Sequence, residues 1–429
     1  MSSIYDRVRE GAGINFILGG ATFASLIVAS SLCPATAKAQ SEFARDRNVA
    51  VTDRIPAGYE PLGLRAGAFN VAPKLDITLE KNDNIYYQEL NRTGDAIVGL
   101  APSVLIKSDW GRHELKFGLN ADYSAYEKHS SENTLFWDAS AAGRLDIHGF
   151  SYAYAGADYS QNYEPRYDPS FPTSAAHPIK YDVTQADIGI VAEGNRLKFT
   201  GQANWAYFNY FDVKDINGAT IDQDARDYTW LYYEGRADYA ISPATSVYFV
   251  YNGNTRTYRL GNDRDSRGYD MDLGADFDIT NLMRGSVQFG YLEQHYTAFP
   301  TTKAPSFAGN IQYFPTQLTT LSFKAARTVQ ETPQLGASGF VSSEYMATID
   351  HELLRTLVLS ASFDTFGDDY HGVNRHDTRS ILYFGAKYLI SRNIYLRGGY
   401  TYSDLSSHGT SAIVPYKDNS VRAYLGLQY

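Results

Sequence analysis

From about residue 70 to its end, the chain repeats one pattern in which apolar and polar side chains alternate. The clearest segment is Tyr269–Ile279, YDMDLGADFDI, where an aspartate occupies nearly every second position. Successive side chains of a β-strand point to opposite faces, so the pattern predicts strands with one face in lipid and one in water. A soluble sandwich strand would alternate in the same way. The repetition favours the barrel, and it recurs at Leu115–Tyr123, Leu197–Tyr207, Leu357–Phe363 and Val421–Tyr429.

Short and long connections between these segments also alternate. Eight short turns and nine longer loops can be read from the sequence. They predict an all-β fold, a transmembrane antiparallel up-and-down β-barrel of about 18 strands, or 16 if one hairpin is misassigned. The turns are expected on the periplasmic side and the loops outside. Glu164–Lys180 contains four prolines and is the loop expected to fold inward.

The N-terminus has the organisation of a secretory signal. Basic Arg7 and Arg9 precede an apolar run, and Ala37-Lys38-Ala39 follows as a small-x-small cleavage pattern. Cleavage is predicted between Ala39 and Gln40, and a membrane anchor is the alternative. We therefore expect a signal peptide at 1–39, a periplasmic N-terminal segment at 40–69 and an outer-membrane barrel at 70–429, in a Gram-negative cell.

Composition and motifs argue against several other classes of function. The net charge of −10 disfavours nucleic-acid binding. The single cysteine, Cys33, would leave with the signal peptide. His351-Glu352 begins a zinc-protease pattern, but Arg355 stands where the second histidine is needed. We expect no metal, no cofactor and no enzymatic activity. A hydrolytic site assembled across strands remains an alternative.

The last strand ends in an alternating apolar series that closes on an aromatic residue. Such an ending is similar to the signal that outer-membrane assembly machinery reads. The predicted signal residues are Val421, Leu425, Leu427 and Tyr429. Outer-membrane lipid and lipopolysaccharide are the other expected partners.

Alternate residues of a strand share one face of the sheet, and this rule identifies which charged side chains point into the lumen. These inward charges form two groups. An acidic wall is predicted on the tenth strand, at Asp270, Asp272, Asp276 and Asp278. A basic wall is predicted on the first strand and the last three, which meet only when the barrel closes, at Lys74, Arg379, Lys387, Arg397 and Arg422. Opposed walls would create a transverse field acting on solutes in the lumen. The alternative is that these are ordinary hydrated lumen residues.

Most of the 35 tyrosines fall at outward positions or strand ends, as expected for an interfacial girdle. Six share the inward parity and could stack on sugar rings: Tyr232, Tyr248, Tyr296, Tyr383, Tyr395 and Tyr424.

Short sequence motifs in the first part of the mature chain resemble those of a known protein family. They are Tyr59–Arg65 (YEPLGLR), Gly67, Phe69, Asn82-Asp83-Asn84 and Ser108-Asp109-Trp110. The chain is similar to the outer-membrane β-barrel porin type 2 family, whose members often accompany exopolysaccharide or capsule loci. The resemblance implies an outer-membrane barrel with exopolysaccharide and periplasmic export proteins as partners.

These observations predict an outer-membrane channel for polar solutes, and the family resemblance alone implies a role in exopolysaccharide secretion. A barrel closed by its own loops, with a structural or adhesive role, is the main alternative.

Overall fold

The structure is a computed structural model, and it describes residues 49–168, 171–172, 174–261, 263–279, 282–332, 334 and 336–429. The predicted signal peptide, with its cleavage site between Ala39 and Gln40, lies outside these residues. Within the described ranges, no helical segment has the length and apolar character needed to cross a membrane.

Long antiparallel strands make up almost all of the described chain. We number the barrel strands β1 to β18: Phe69–Asn82, Asp95–Ser108, Glu114–Tyr126, Thr134–His148, Ser151–Tyr163, Lys180–Glu193, Leu197–Tyr210, Tyr228–Ser242, Thr245–Tyr258, Ser266–Ile279, Met283–Tyr296, Thr302–Thr316, Thr319–Gln330, Gly339–Leu354, Leu357–His371, His376–Leu389, Ile394–His408 and Tyr416–Gln428. Single 3-10 turns occur at Val51–Asp53, Ser130–Glu132 and Asp224–Arg226.

Each strand pairs with the next one along the chain, and the sheet closes on itself. β18 pairs with β1 in a register that runs from Lys74 opposite Gln428 to Asn82 opposite Ser420. Closure gives every strand two neighbours, so no backbone edge is left unpaired in the lipid. The predicted barrel of 18 strands is confirmed, and the alternative of 16 is wrong.

The connections differ in length at the two ends of the barrel. Short turns such as 149–150, 243–244 and 317–318 join strands at one end, which we call the turn end. At the other, the loop end, the connections include 83–94, 164–179 and 211–227. Some loops are shorter than predicted, because β17 continues to His408 and β15 to His371.

The two faces of the sheet are inverted relative to a soluble protein. Leu273 and Phe289 on the outer face are 69% and 68% exposed, whereas Asp272 and Asp278 on the inner face are each 2% exposed. Exposed tyrosines ring the outer face, among them Tyr123, Tyr239, Tyr313 and Tyr388. A lipid-facing surface requires this arrangement, with the polar groups held inside.

An apolar cluster fills part of the barrel near the loop end. It brings Phe171, Ala175 and Ile179 of loop 164–179 against inward side chains of β6–β8, including Phe208 and Trp230. The Phe208 and Tyr228 rings stack with their centroids 4.4 Å apart. This cluster holds the loop inside the barrel.

The described part of the N-terminal segment lies at the turn end. Leu64–Ala66 forms a short strand that pairs with the start of β1. Upstream, Val51 is 1% exposed, and its backbone N–H donates to Thr320 Oγ1 at 3.0 Å. Arg54 Nη1 donates to the backbone carbonyl of Gln317, in the turn between β12 and β13. The segment therefore runs from β13 to β1 across the turn-end opening.

Candidate functional site

The four aspartates of the predicted acidic wall all lie on the inner face of β10. Asp270 accepts a hydrogen bond from Asn252 Nδ2 at 2.7 Å. Asp272 accepts from Gln288 Nε2 at 2.9 Å and from the Ser306 hydroxyl. Neutral donors on β9, β11 and β12 thus orient two of these carboxylates without adding an opposing charge.

One arginine bridges an acid of its own strand, β8, and an acid of β10, two strands away. Arg236 on β8 lies 2.6 Å from Asp238 and 2.5 Å from Asp276. Its guanidinium also lies over the Tyr248 ring, 3.5 Å from the ring centroid. A single cation shared by two carboxylates leaves this side of the lumen net negative.

Three of the five cations of the predicted basic wall gather around the closing seam. Lys74 lies 3.3 Å and Arg397 lies 3.2 Å from the Asp76 carboxylate. The Lys387 ammonium lies 5.2 Å from the centre of the Tyr395 ring, and Tyr395 donates to Asp76. Closure of β18 onto β1 brings these groups together, although they are more than 300 residues apart in sequence.

The other two cations lie nearer the loop end. Arg422 forms an ion pair with Glu80 on β1 at 2.6 Å. Arg379 on β16 packs over Phe366, with 4.4 Å between the guanidinium carbon and the ring centroid. The basic wall therefore also contains two carboxylates, Asp76 and Glu80, whereas the prediction named only its cations. β10 lies halfway around the ring from β1, so the two walls face each other across the lumen.

The six predicted lumen tyrosines lie on the inner face, but several rings are pressed flat against the wall. A Cβ added at Gly274 would fall 2.3 Å from Tyr248 Cζ, and one at Gly426 would fall 2.0 Å from Tyr395 Cζ. Each ring therefore covers a glycine of the adjacent strand. Arginines occupy the free faces of two rings, since Arg397 lies 4.5 Å from the Tyr424 ring and Arg236 covers Tyr248.

The other rings have protein partners or close neighbours too. Tyr232 donates to Asn252 Oδ1 at 2.7 Å. Tyr383 lies against Gly385 and Gly399. Tyr296 is 8% exposed and lies close to Gly339. These rings therefore pack against groups of the wall, and stacking on a sugar remains a prediction.

A constriction that sequence reasoning did not specify forms where two loops meet inside the barrel. Tyr167 of loop 164–179 and Tyr87 of loop 83–94 contact each other edge to face, with centroids 5.4 Å apart. Tyr87 also contacts Tyr416 on β18 at 4.9 Å, and Arg379 lies 6.0 Å from the Tyr167 ring. We call these four residues the tyrosine constriction.

Two ion pairs hold loop 164–179 in this position. Arg166 makes a two-pronged contact with Glu132 at 2.6 and 2.8 Å and donates to the carbonyl of Ala175 at 2.7 Å. Arg226 makes a similar contact with Glu164 at 2.6 and 2.8 Å. Glu132 is 3% exposed, so the Arg166 pair is buried. The prolines of the loop signalled an inward fold, but no sequence pattern signalled these partners.

Burial raises the pKa of both loop tyrosines. It raises the pKa of Tyr167 to about 12, with the nearby Arg379 opposing the shift. It raises the pKa of Tyr87 well above its ordinary value. Both phenols remain protonated at physiological pH, so Arg379 is the charged member of the constriction.

One acidic cluster has ligand-like spacing. Asp212, Asp222 and Asp224 on loop 211–227 each place a carboxylate oxygen within 4.8 Å of the others. Backbone N–H groups of Gln223 and Asp224 donate to Asp212 and Asp222 respectively at 2.9 Å. These contacts account for the arrangement of the loop without an ion.

The predicted assembly residues lie on the outer face at the end of β18. Val421 is 57% exposed and the terminal Tyr429 is 50% exposed, and Leu425 and Leu427 share this face. The Tyr429 N–H donates to the carbonyl of Pro73 on β1 at 3.2 Å. Recognition by assembly machinery remains a prediction.

A family model described as "Putative beta-barrel porin 2" matches residues 56–429, nearly the whole described chain. The chain belongs to this family. The predicted membership is confirmed, and with it a porin-type barrel of the outer membrane. A search of curated proteins finds no match.

Several solved outer-membrane proteins are similar to this porin at low identity. Pseudomonas aeruginosa OpdL is 10% identical, with 85% of this chain and 99% of that chain covered and a TM-score of 0.45. P. aeruginosa OccK2 (OpdF), solved in complex with glucuronate, is 9% identical over 84% and 98%, with a TM-score of 0.47. Acinetobacter baumannii OccAB3 is 12% identical over 85% and 100%, with a TM-score of 0.45. These scores carry no argument about what this porin transports.

Proposed function

We propose that this porin is a non-enzymatic diffusion channel for small polar solutes, in which two charged walls orient the solute and the tyrosine constriction limits its size. The observation that carries the proposal is the convergence of Lys74, Lys387 and Arg397 at the closing seam, opposite the aspartates of β10. A pore with one sign of charge on each side orients dipolar and charged solutes and disfavours apolar ones.

The contacts within each wall support a role in selection. Asp270 accepts a hydrogen bond from the neutral Asn252 amide, which brings no opposing charge to this wall. On the other side, Asp76 has two cationic neighbours, Lys74 and Arg397. Both walls therefore carry excess charge after their internal pairs are counted, and that excess acts on what passes.

The charge walls are tested by ion selectivity in planar bilayers. The double variant Asp270→Asn/Asp276→Asn should lower cation preference, measured as the reversal potential under a salt gradient. The matched control is Asp222→Asn/Asp224→Asn, which makes the same charge change on loop 211–227, outside the strands. If the lumen variant keeps the wild-type reversal potential, the acidic wall plays no part in selection.

The tyrosine constriction also supports the loop-closed alternative, and conductance separates the two. A channel should show steady open conductance as the purified wild-type protein, whereas a closed structural barrel should remain silent. Silence that persists after loop 164–179 is released would remove the channel proposal.

Exopolysaccharide export is the second candidate, and it rests on the family resemblance together with the rings of Tyr87, Tyr167 and Tyr416 at the constriction. A polymer would have to displace loop 164–179 to pass. Deleting the gene and measuring surface glycan tests this role. Unchanged glycan would remove it and leave the small-solute channel in place.

A further inference from the structure

The membrane-facing surface of β11–β15 has a hollow of about 560 Å³. Small residues on β12, β13 and β14 form its floor, and phenylalanine rings surround this floor. The small residues are Gly309, Ala325 and Ala347, and the surrounding rings are Phe289, Phe323 and Phe363. The volume lies within the roughly 300–1,000 Å³ typical of small-molecule sites.

A cationic group lies at the loop-side end of this hollow. The rings of Phe307 and Tyr345 stack there, with centroids 5.9 Å apart, and the Arg327 guanidinium carbon lies 5.0 Å from the Phe307 centroid. Arg327 Nε donates to Ser343 Oγ at 2.9 Å. Among the described residues this is the only hydrogen bond of the guanidinium, so its two Nη groups are available to a ligand.

Arg327 belongs to the lipid-facing side of β13. It shares strand parity with Phe323, which is 48% exposed on the outer face. It is the eighth residue after Thr319 at the turn end, which places it roughly 20 Å along the axis for a strand tilted by about 40°. The apolar band of such barrels is about 25 Å tall. The guanidinium is therefore close to the headgroup level of the outer leaflet, which it can reach by extending its side chain.

We propose that the hollow and Arg327 together bind one phosphorylated lipid, with an acyl chain on Gly309, Ala325 and Ala347 and a phosphate on the Nη groups. The lipid is the lipid A portion of lipopolysaccharide, because the loop end of an outer-membrane barrel faces the leaflet that carries it. Arginine binds phosphate oxygens in a forked geometry, which suits the two available groups.

Charge complementarity favours this ligand over a second copy of the chain. Two carboxylates lie on the outer face of β11–β15. Glu293 is paired with Lys303 at 3.1 Å and with His295 at 2.9 Å, and Asp369 is paired with His376 at 2.6 Å. A symmetric contact through this face would therefore offer Arg327 no unpaired acid.

The test is native mass spectrometry of the purified full-length mature protein, incubated with diphosphoryl lipid A, its dephosphorylated form, or phosphatidylglycerol. We expect one retained lipid A per barrel. Arg327→Gln should weaken retention by about tenfold, the effect of losing one charge-assisted contact. Arg267→Gln is the matched control, since Arg267 is an exposed arginine near the loop end of β10.

A second variant tests the hollow itself. A Cβ at Gly309 would lie 3.5 Å from both Ser286 O and Val287 Cγ1, which is ordinary contact, so Gly309→Leu should fill the hollow while the strand stays in place. It should abolish retention while heat-modifiable gel mobility shows a folded barrel. Equal retention by all variants, or equal retention of phosphatidylglycerol, would overturn the proposal. A dimer or trimer that Gly309→Leu dissociates would also overturn it and assign the face to a second copy.

Discussion

At the scale of single residues, strand parity predicted which side chains point inward, but it could not predict what they touch. Tyr395 on β17 contacts Gly426 on β18 because the register between these two strands places the two residues opposite each other. The register between two strands cannot be predicted from the alternation of side chains alone. For the same reason Asp76 was not predicted as the partner of Lys74 and Arg397.

The close approach of Tyr395 to Gly426 leads to a stability prediction. Gly426→Ala would place a methyl group 2.0 Å from Tyr395 Cζ, so the buried ring must move. We expect a loss of about 1–3 kcal/mol, the usual effect of overpacking. Gly235→Ala is the control, because no heavy atom lies within 4 Å of its added Cβ. Urea unfolding in detergent micelles compares the two, and equal midpoints would contradict the prediction.

Asp76 should set the charge of the basic wall. Asp76→Asn removes the carboxylate shared by Lys74 and Arg397 while keeping an acceptor for the Tyr395 hydroxyl. The reversal potential should then shift toward anion preference. Asp215→Asn, a partly exposed position on loop 211–227, serves as the control and should leave it unchanged. A shift toward cations, or no shift, would show that this cluster does not face the conducting path.

At the scale of elements, the number and order of strands followed from the sequence, whereas the loop-end boundaries did not. Alternation marks a strand only where one face contacts lipid. Beyond the membrane both faces are polar, and Ser403–His408 pairs with β16 although its sequence looks like a loop. The inward fold of loop 164–179 followed from its prolines, but its anchors on Glu132 and Arg379 depend on distant strands and loops.

The Arg166–Glu132 pair should control the position of loop 164–179. Arg166→Gln leaves the Glu132 carboxylate buried without its partner, which costs about 3–5 kcal/mol and favours an opened loop. Single-channel conductance should increase. The exchange Arg166→Glu/Glu132→Arg restores opposite charges and should return conductance toward the wild-type value. Unchanged conductance in Arg166→Gln would mean that this loop does not limit the pore.

Alkaline pH should release the same loop. Burial raises the pKa of Tyr167 to about 12, so the stability contributed by its neutral ring is fully present below the ordinary value near 10. That contribution is lost as pH rises through about 12. Conductance should therefore rise between these values in the wild type, and less in Tyr167→Phe, which has no ionisable group. Identical pH profiles for the two proteins would exclude Tyr167 as the titrating group.

At the scale of the whole molecule, closure of the barrel places the acidic wall opposite the basic wall. Closure also creates an opening at each end of the barrel, and the sequence pattern did not predict what lies across either opening. The loop-end opening is narrowed by loops that meet inside the barrel. The turn-end opening is crossed by residues that precede the barrel, where Val51 and Ala50 are 1% and 3% exposed. The sequence showed no periodicity there, because a segment held by isolated contacts with Thr320 and Gln317 has no repeating pattern.

The seating of the N-terminal segment can be measured by thiol labelling. Thr320 is fully buried beneath Val51, whereas Thr316, at the end of β12, is exposed. In a mature chain that begins after the predicted cleavage site, and so lacks Cys33, Thr320→Cys should react slowly with a water-soluble maleimide and Thr316→Cys quickly. Adding Val51→Lys should unseat the segment, because a charged side chain is strongly disfavoured in that buried position. Labelling at position 320 should then approach the rate at position 316, and conductance should rise because the turn-end opening widens. Fast labelling of Thr320→Cys without the second substitution would show that the segment does not cover β13.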